Sequence, residues 1–170
     1  APPVPRAALG LTADAGRRLW QVPGAEAPCP AFAAAAAGLG SVVLVGDGDG
    51  LVRRVAAAVL VAGQPYLPLA AEAVRLARGG AAPLIAASPE MRLRLGGATH
   101  GLDDAAQMRL SVSGPHVWAA RTLSARDVLE GRGLERIAGA VVFVGSSLPR
   151  RGGLRATSVS PVTPSVQVQA

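Results

Sequence analysis

The stretch Val42–Val55 reads VVLVGDGDGLVRRV and decides how the fold is interpreted. Its apolar, β-branched start is typical of a buried strand. Three glycines at alternate positions follow, and then two arginines. Such a loop either cradles a phosphate at the start of a helix or forms a turn between two strands. The first alternative makes the chain a nucleotide-binding protein, and the second does not.

The charges in this loop favour the turn. Asp47 and Asp49 stand between the glycines, where two carboxylates would repel a phosphate. The spacing also departs from the G-x-G-x-x-G pattern of dinucleotide sites. Asp-Gly is instead a strong hairpin signal, because both residues tolerate a positive φ, and it predicts a hairpin near residues 41–62. A calcium loop of the form D-x-D-G is a further alternative, but no acid follows before Glu72 to complete its ligands.

Helix signals and apolar strand signals interleave along the rest of the chain. The run LAAEAVRLARGG has helical periodicity, with Glu72, Arg75 and Arg78 on its polar face. Ser124 is a favourable N-cap for a second helix. Ala140–Val144 is apolar at every position, which predicts an interior strand covered on both faces.

This order predicts an α/β fold in which a mixed sheet carries flanking helices. The 170 residues, half of them hydrophobic, suit a single domain over residues 1–170. Residues 1–30 are expected to be mostly irregular, and residues 31–170 to form the α/β core. Because aromatic residues make up only 3% of the chain, that core must consist of Ala, Val and Leu. Val166–Ala170 is expected to lie at an edge of the domain and point outward.

Composition argues against several functional classes. The net charge is +6, and all of the positively charged side chains counted in it are arginines. The arginines are scattered in pairs, and few aromatic side chains are available to stack on bases. Nucleic acid is therefore not an expected partner. The single cysteine, Cys29, excludes an internal disulfide and a cysteine-based zinc site. No metal or organic cofactor is predicted, and no apolar run reaches the length of a membrane span.

The motif Gly145-Ser146-Ser147 follows the apolar run, as the nucleophile follows its strand in a G-x-S-x-G elbow. The last glycine of that motif is missing, and His100 and His116 lie in loop-like surroundings. We therefore predict no catalytic residue. Turns at strand ends do form ligand crevices in α/β sheets, so Ser146 and Ser147 are candidate ligand-binding residues.

Arg53 and Arg54 are the other candidate ligand-binding residues. Neighbouring side chains of a strand point to opposite faces, so one of the two arginines would meet a covered face and need a carboxylate. Asp47, Asp49 and Glu72 are available for such an ion pair. The ion pair is favoured over an anion-binding site, and both alternatives remain open.

Taken in order, several segments resemble the CHASE2 family of extracytoplasmic sensory domains. The family's small-residue helix, strand, D-x-D-G and paired arginines resemble PAFAAAAAGLGSVVLVGDGDGLVRRV. Its proline-opened helix with an internal Glu resembles QPYLPLAAEAVRLARG. Its D-V-L-x-G helix, I-V-x-x-G strand and closing segment resemble SARDVLEG, LERIAGAVVFVGSS and SPVTPSVQVQA. The resemblance covers roughly residues 28–170, and the family's amino-terminal portion is expected to be missing.

Two places depart from the family's pattern. Ser111-Val112-Ser113-Gly114 stands where the family usually has an N-Y-R-G-like strand end, and GGLRATS stands where it tends to carry an Asp. If those positions hold a ligand elsewhere in the family, this chain binds a different ligand or none.

The resemblance implies a non-enzymatic sensor on the periplasmic or extracellular side of the cytoplasmic membrane. Its implied partners are an unknown small-molecule ligand, together with the membrane helices and cytoplasmic output domain of the same full-length protein. A homodimer is a further alternative. The rival hypothesis is a nucleotide-binding or hydrolytic α/β enzyme that uses the GDGDG or GSS loop.

Overall fold

The computed structural model describes residues 8–148 and 153–170. These residues form two compact units. The first unit comprises residues 8–45 and Arg54–Leu110, and the second comprises Gly46–Arg53 with residues 111–148 and 153–170. Short helices alternate with parallel and antiparallel strands, which confirms the predicted mixed α/β class.

Three sheets and three helices make up the described part of the first unit. The strands are β1 (Gly10–Leu11), β2 (Trp20–Val22), β3 (Arg54–Ala56), β4 (Val59–Val61), β5 (Gln64–Tyr66), β6 (Leu84–Ala86), β7 (Arg92–Leu95), β8 (Ala98–Gly101) and β9 (Gln107–Arg109). The helices are α1 (Ala13–Arg18), α2 (Pro30–Ala35) and α3 (Leu69–Ala77). The strand orders are β1-β6-β7-β8, β2-β4-β5 and β3-β9, and the pairs β1–β6 and β2–β4 are parallel.

Two tight hairpins organise these sheets. Ala62 and Gly63 connect β4 to β5, and Gly96 and Gly97 connect β7 to β8. All four residues have a positive φ, between 48° and 87°. Positive φ at both central residues gives the turn the twist that an antiparallel strand pair needs. The Gly-Gly turn fits this rule directly, whereas an alanine at such a position gives a weak sequence signal.

The loop at Asp47–Gly50 is a turn, as the charges predicted. The Gly50 N–H donates to the Asp47 carbonyl at 2.8 Å, and the Asp47 N–H donates to the Leu51 carbonyl at 2.9 Å. No helix begins at Leu51. The phosphate-cradling alternative therefore lacks the helix N-terminus on which it depends.

The hairpin expected near residues 41–62 does not continue from this turn. Ser41 makes an isolated bridge to Pro68, and Val52 makes one to Thr157. Beyond Val52, the chain enters β3 and β4, which pair with β9 and with β2 and β5. Alternating glycines offer no cross-strand side-chain pairs beside the turn, so nothing there stabilises a ladder. The prediction was right about the turn and wrong about the paired strands.

Side chains of small and medium size form most of the core of the first unit, but the core is not limited to the predicted Ala, Val and Leu. Ile85 and Met91 belong to the main cluster, and Tyr66 packs with Val59 and Val61 in a second one. The main cluster consists of Ala15, Leu19, Ala57, Ala58, Leu67, Ala71, Ile85, Met91, Leu93, Leu95 and Ala106. Ala15 and Leu19 belong to the segment that was expected to be mostly irregular. It contains regular structure because β1 adds to β6, and β2 adds to β4.

Helix α3 packs against the rest of the first unit with residues of the face that was predicted to be polar and solvent-facing. Glu72 and Arg75 are buried, whereas Val74 and Leu76 are exposed. Arg75 donates from Nε and Nη2 to the two carboxylate oxygens of Glu72, at 2.8 and 2.7 Å. The buried charges thus satisfy each other, and the amphipathic pattern could not reveal this pairing.

The second unit contains α4 (Pro115–Arg121), α5 (Ala125–Leu129), a 3-10 helix (Leu134–Arg136), β10 (Leu154–Arg155), β11 (Thr163–Pro164) and α6 (Ser165–Gln169). The strands β10 and β11 pair antiparallel. Ser124 caps α5 as predicted, because its Oγ accepts a hydrogen bond from the Arg126 N–H at 3.2 Å. In neither described range of the chain is a helix both long and apolar enough to cross a bilayer.

Two predictions about the second unit are wrong. Ala140–Val144 is not an interior strand, since no strand is assigned there and the Val144 side chain is 90% exposed. An apolar run forms such a strand only where neighbours pair with it, and no strand of the described residues does so. Val166–Ala170 does not point outward as an edge segment. It belongs largely to α6, and both Val168 and Gln169 are buried.

Candidate functional site

A cavity of about 530 Å³ lies within the second unit. This volume falls inside the range of about 300–1,000 Å³ that is typical of small-molecule sites. The lining comes from three segments: residues 113–122, which include α4, the turn at Ser147, and residues 159–167, which lead through β11 into α6. The polar side chains of the lining are Ser113, Thr122, Ser147, Ser160, Thr163 and Gln167.

Three of these polar side chains are already used within the protein. Thr122 Oγ1 donates to a carbonyl of its own helix at 2.7 Å, and Ser160 Oγ accepts from a backbone N–H at 3.2 Å. Thr163 Oγ1 shares a hydrogen bond of 3.0 Å with the buried hydroxyl of Thr157. These contacts fix the shape of the cavity wall.

The other three polar side chains are not used in this way within the described residues. Ser113, Ser147 and Gln167 make no side-chain hydrogen bond to any other residue that the structure describes. Two hydroxyls and one amide can each donate and accept. They come from three different segments of the chain that line one cavity.

Trp118 supplies the large apolar surface of the cavity. Its indole Nε1–H donates to the Ser113 carbonyl at 3.1 Å, so the polar edge of the ring is satisfied. The half-buried ring is thereby held in one orientation beside the apolar residues Val159 and Val162. An aromatic face that is fixed in this way can stack against an apolar face of a ligand.

The turn after the apolar run packs directly on α6. A Cβ atom on Gly145 would lie 2.6 Å from the Cβ of Val166, so only glycine fits there without a shift. Ser146 Oγ accepts from the Leu148 N–H at 3.1 Å and so stabilises the turn. Ser147 lines the cavity. Of the two serines singled out from sequence, one thus belongs to the turn and the other to the cavity, and ligand binding by either stays a prediction.

Arg53 lies in a separate cluster that it forms with the two acids of the GDGDG loop. Its Nη1 donates to Asp47 Oδ2 at 3.0 Å and to Asp49 Oδ1 at 2.9 Å, and its Nη2 donates to Asp49 Oδ2 at 2.8 Å. The Arg53 guanidinium, helped by the Leu51 N–H, lowers the pKa of Asp49 from 3.8 to about 2. The same contacts raise the pKa of Arg53 above its ordinary value.

The geometry of both arginines matches the ion-pair alternative. Within the first unit, Arg54 Nε lies 3.5 Å from Asp103 Oδ2. Arg53 has two carboxylates in front of its guanidinium, and an incoming anion would have to displace them. Binding of a ligand by either arginine stays a prediction.

The two histidines of the hydrolase alternative lie in different elements. His100 lies in β8 of the first unit and His116 lies in α4, and both are exposed. No hydrogen bond joins Ser147 to a histidine in the part of the chain that the structure describes. Over the same residues, no group of three His, Cys, Asp or Glu side chains is placed to share a metal ion.

Sequence reasoning missed three important residues of the cavity, namely Ser113, Trp118 and Gln167. Ser113 lies in one of the two segments that depart from the family's pattern, and this was the only signal at that position. Trp118 is one of only two tryptophans in the chain, which is a signal that sequence alone could have used. Gln167 had none.

An α/β chain with a cavity of small-molecule size has a feature that is typical of binding modules. The family model of the CHASE2 domain matches residues 6–170. The chain therefore belongs to the CHASE2 family, whose members are extracytoplasmic sensory domains. The match confirms the resemblance seen in the sequence and extends it from about residue 28 back to residue 6. Searches of curated proteins and of solved structures gave no match.

Proposed function

We propose that this chain is the ligand-sensing input domain of a membrane-anchored signal-transduction protein, on the periplasmic or extracellular side of the cytoplasmic membrane. Membership of an extracytoplasmic sensory family supports the placement. The observation that carries the sensing role is the cavity of the second unit, whose wall includes a residue of α6.

Helix α6 is the element through which a ligand acts in this proposal. Gln167 lines the cavity, while Val168 and Gln169 on the same short helix are buried. A ligand that contacts Gln167 in one packing of α6 and not in another shifts the balance between the two packings. The carboxyl-terminal segment then passes this shift to a membrane helix and a cytoplasmic output domain. Couplings of this kind typically amount to about 1–3 kcal/mol.

The buried amide of Gln169 supports a second packing of α6. Its Nε2 has no hydrogen-bond partner among the described residues. A buried donor without a partner costs about 1–3 kcal/mol. A packing of α6 that exposes or satisfies this amide would recover that cost. A ligand that binds such a packing better shifts α6 toward it.

The relay can be tested by inserting flexible Gly-Ser residues after Ala170 in the full-length parent protein. We expect the output to stop responding to stimulus, because a flexible linker does not transmit a conformational bias. An alanine-rich helical insertion of equal length is the matched control, and it should retain more of the response. An unchanged response with the flexible insertion would contradict relay through this end.

The location can be tested independently with topology reporters. Alkaline phosphatase joined to this domain in the parent protein should be active, since that enzyme needs an oxidising compartment for its disulfides. A fluorescent reporter that matures only in the cytoplasm should show no fluorescence when joined at the same position. The reverse pattern would overturn the extracytoplasmic placement of this chain.

A further inference from the structure

We infer that the cavity of the second unit binds an uncharged, hydroxyl-bearing small molecule of about the size of a mono- or disaccharide, held between Trp118 and Gln167. This inference rests on the proposed sensory function and names the ligand class of that site. Three observations carry it: the charge of the lining, its unused hydrogen-bonding groups and the fixed tryptophan.

The described residues of the lining carry no formal charge. None of the described residues that form it is Asp, Glu, His or Arg, although the chain as a whole has a net charge of +6. Burial of an ionised group without a counter-charge is strongly unfavourable. A phosphate, a carboxylate or an ammonium group would therefore lose hydration here without gaining an ion pair. The described part of the lining therefore favours a neutral ligand.

The unused polar groups match a ligand that carries several hydroxyls. Ser113 and Ser147 present hydroxyls, and Gln167 presents an amide, from three separate segments of the lining. None of these side chains hydrogen-bonds another described residue. A ligand with one polar group could satisfy only one of them. A ring with hydroxyls around its edge can donate to and accept from all three at once.

The tryptophan explains why the ligand also needs an apolar face. Because Trp118 Nε1–H is satisfied by the Ser113 carbonyl at 3.1 Å, the ring offers its face and not a donor. A sugar ring has C–H groups on its faces and hydroxyls at its edge. One face can lie on the indole while the edge reaches Ser147 and Gln167.

Binding can be followed on Trp118 alone. The chain has two tryptophans, and Trp20→Phe in the first unit leaves Trp118 as the only indole. We would titrate this variant of the 170-residue chain with D-glucose, D-galactose and trehalose, using fluorescence and calorimetry. The charged counterparts are glucosamine, glucuronate and glucose 6-phosphate for glucose, galactosamine, galacturonate and galactose 6-phosphate for galactose, and trehalose 6-phosphate for trehalose. We expect saturable binding of at least one neutral sugar and at least about tenfold weaker binding of its charged counterparts.

Two cavity variants test the site. Gln167→Glu keeps the size of the side chain and adds a carboxylate, and Ser147→Ala removes one hydroxyl. Each substitution should weaken the binding of the neutral sugar by about tenfold. Gln21→Glu makes the same charge change at an exposed position of β2 and should leave affinity unchanged. Circular dichroism would check that every variant folds. Unchanged affinity in both cavity variants would overturn the site.

A second arm separates this inference from the proposed function. The wild-type chain would be dialysed against a metabolite extract, and bound compounds would be identified by mass spectrometry. Recovery of a charged compound would overturn the neutral-ligand inference but not the sensory function. The same holds if neither the extract nor the sugars bind while the parent protein still responds to stimulus. A parent protein whose output responds to no condition that alters this domain overturns the sensory function itself. Recovery of a neutral hydroxylated compound whose binding is abolished by Gln167→Glu would support both the ligand class and the sensory function.

Discussion

Gly145 lies against Val166 so closely that a Cβ atom at position 145 would stand 2.6 Å from the Val166 Cβ. This contact joins the turn that carries Ser147 to the helix that carries Gln167. Two walls of the cavity are thus positioned by one glycine. The requirement is for a small residue and not for unusual backbone, because the φ of Gly145 lies outside the left-handed region.

The first prediction concerns this contact. Gly145→Ala should displace α6 and lower the free energy of unfolding by about 1–3 kcal/mol, which is the usual effect of overpacking. Urea denaturation measures it. Gly48→Ala is the matched control in the same unit, because a Cβ atom at position 48 would have no neighbour within 4 Å and the φ there is not left-handed. Equal effects of the two substitutions would contradict the contact.

The second prediction concerns the pKa of Asp49. It is lowered to about 2 by Arg53, so the ion pair is complete above pH 3.8, its ordinary value, and is lost as pH falls through about 2. Arg53→Gln should return this pKa toward 3.8, as measured by carboxyl NMR. Arg54→Gln is the control and should leave it at about 2, since Arg54 pairs with Asp103. An unchanged pKa in Arg53→Gln would refute the pairing.

The third prediction concerns the buried pair of α3. Arg75→Met leaves the Glu72 carboxylate buried and unpaired, at a cost of roughly 3–5 kcal/mol in the free energy of unfolding. Arg92→Met breaks an exposed pair with Glu90 and should cost at most about 1 kcal/mol. Thermal or chemical denaturation compares the two. A mild effect of Arg75→Met would mean that solvent reaches Glu72.

The fourth prediction concerns the apolar run after residue 140. Val144 is 90% exposed, so Val144→Lys should change the free energy of unfolding by no more than about 0.5 kcal/mol. Val52 in the same unit is 1% exposed, and Val52→Lys would bury an unpaired charge and prevent stable folding. If Val144→Lys were equally damaging, the run would be an interior strand, as its composition first indicated.

The features that could be predicted from sequence are those set by local chemistry. The turn at Asp47–Gly50 follows from Asp-Gly preferences, and the cap at Ser124 follows from its hydroxyl. Helix α3 also forms where its periodicity placed it. Its buried face could not be predicted, because Glu72 and Arg75 become acceptable inside only through their mutual pairing.

The candidate site could be predicted only in part, for a different reason. Ser147 was found because it follows a recognisable apolar run. Its neighbours in the cavity, Trp118 and Gln167, are separated from it by many residues on either side. Folding alone brings such segments together, and no local pattern marks a residue as the opposite wall of a cavity. The same limit explains the wrong hairpin, since the strand partners of residues 54–61 lie elsewhere in the chain.

The last prediction concerns the unpaired amide of Gln169. Its Nε2 is buried without a hydrogen-bond partner among the described residues, so Gln169→Met replaces an unsatisfied donor with an apolar group of similar length. This change should raise the free energy of unfolding by about 1 kcal/mol. It should also slow hydrogen exchange of the α6 backbone amides, because the present packing of the helix becomes more stable relative to opened states.

Gln167→Met makes the same chemical change two residues earlier on the same helix. Gln167 is only partly buried and lines the cavity, so its amide remains accessible to water and there is no penalty to remove. We therefore expect no stabilisation from it. If Gln169→Met destabilises the chain instead, its amide is hydrogen-bonded in solution. In that case α6 has one preferred packing, and the relay must use another element of the second unit.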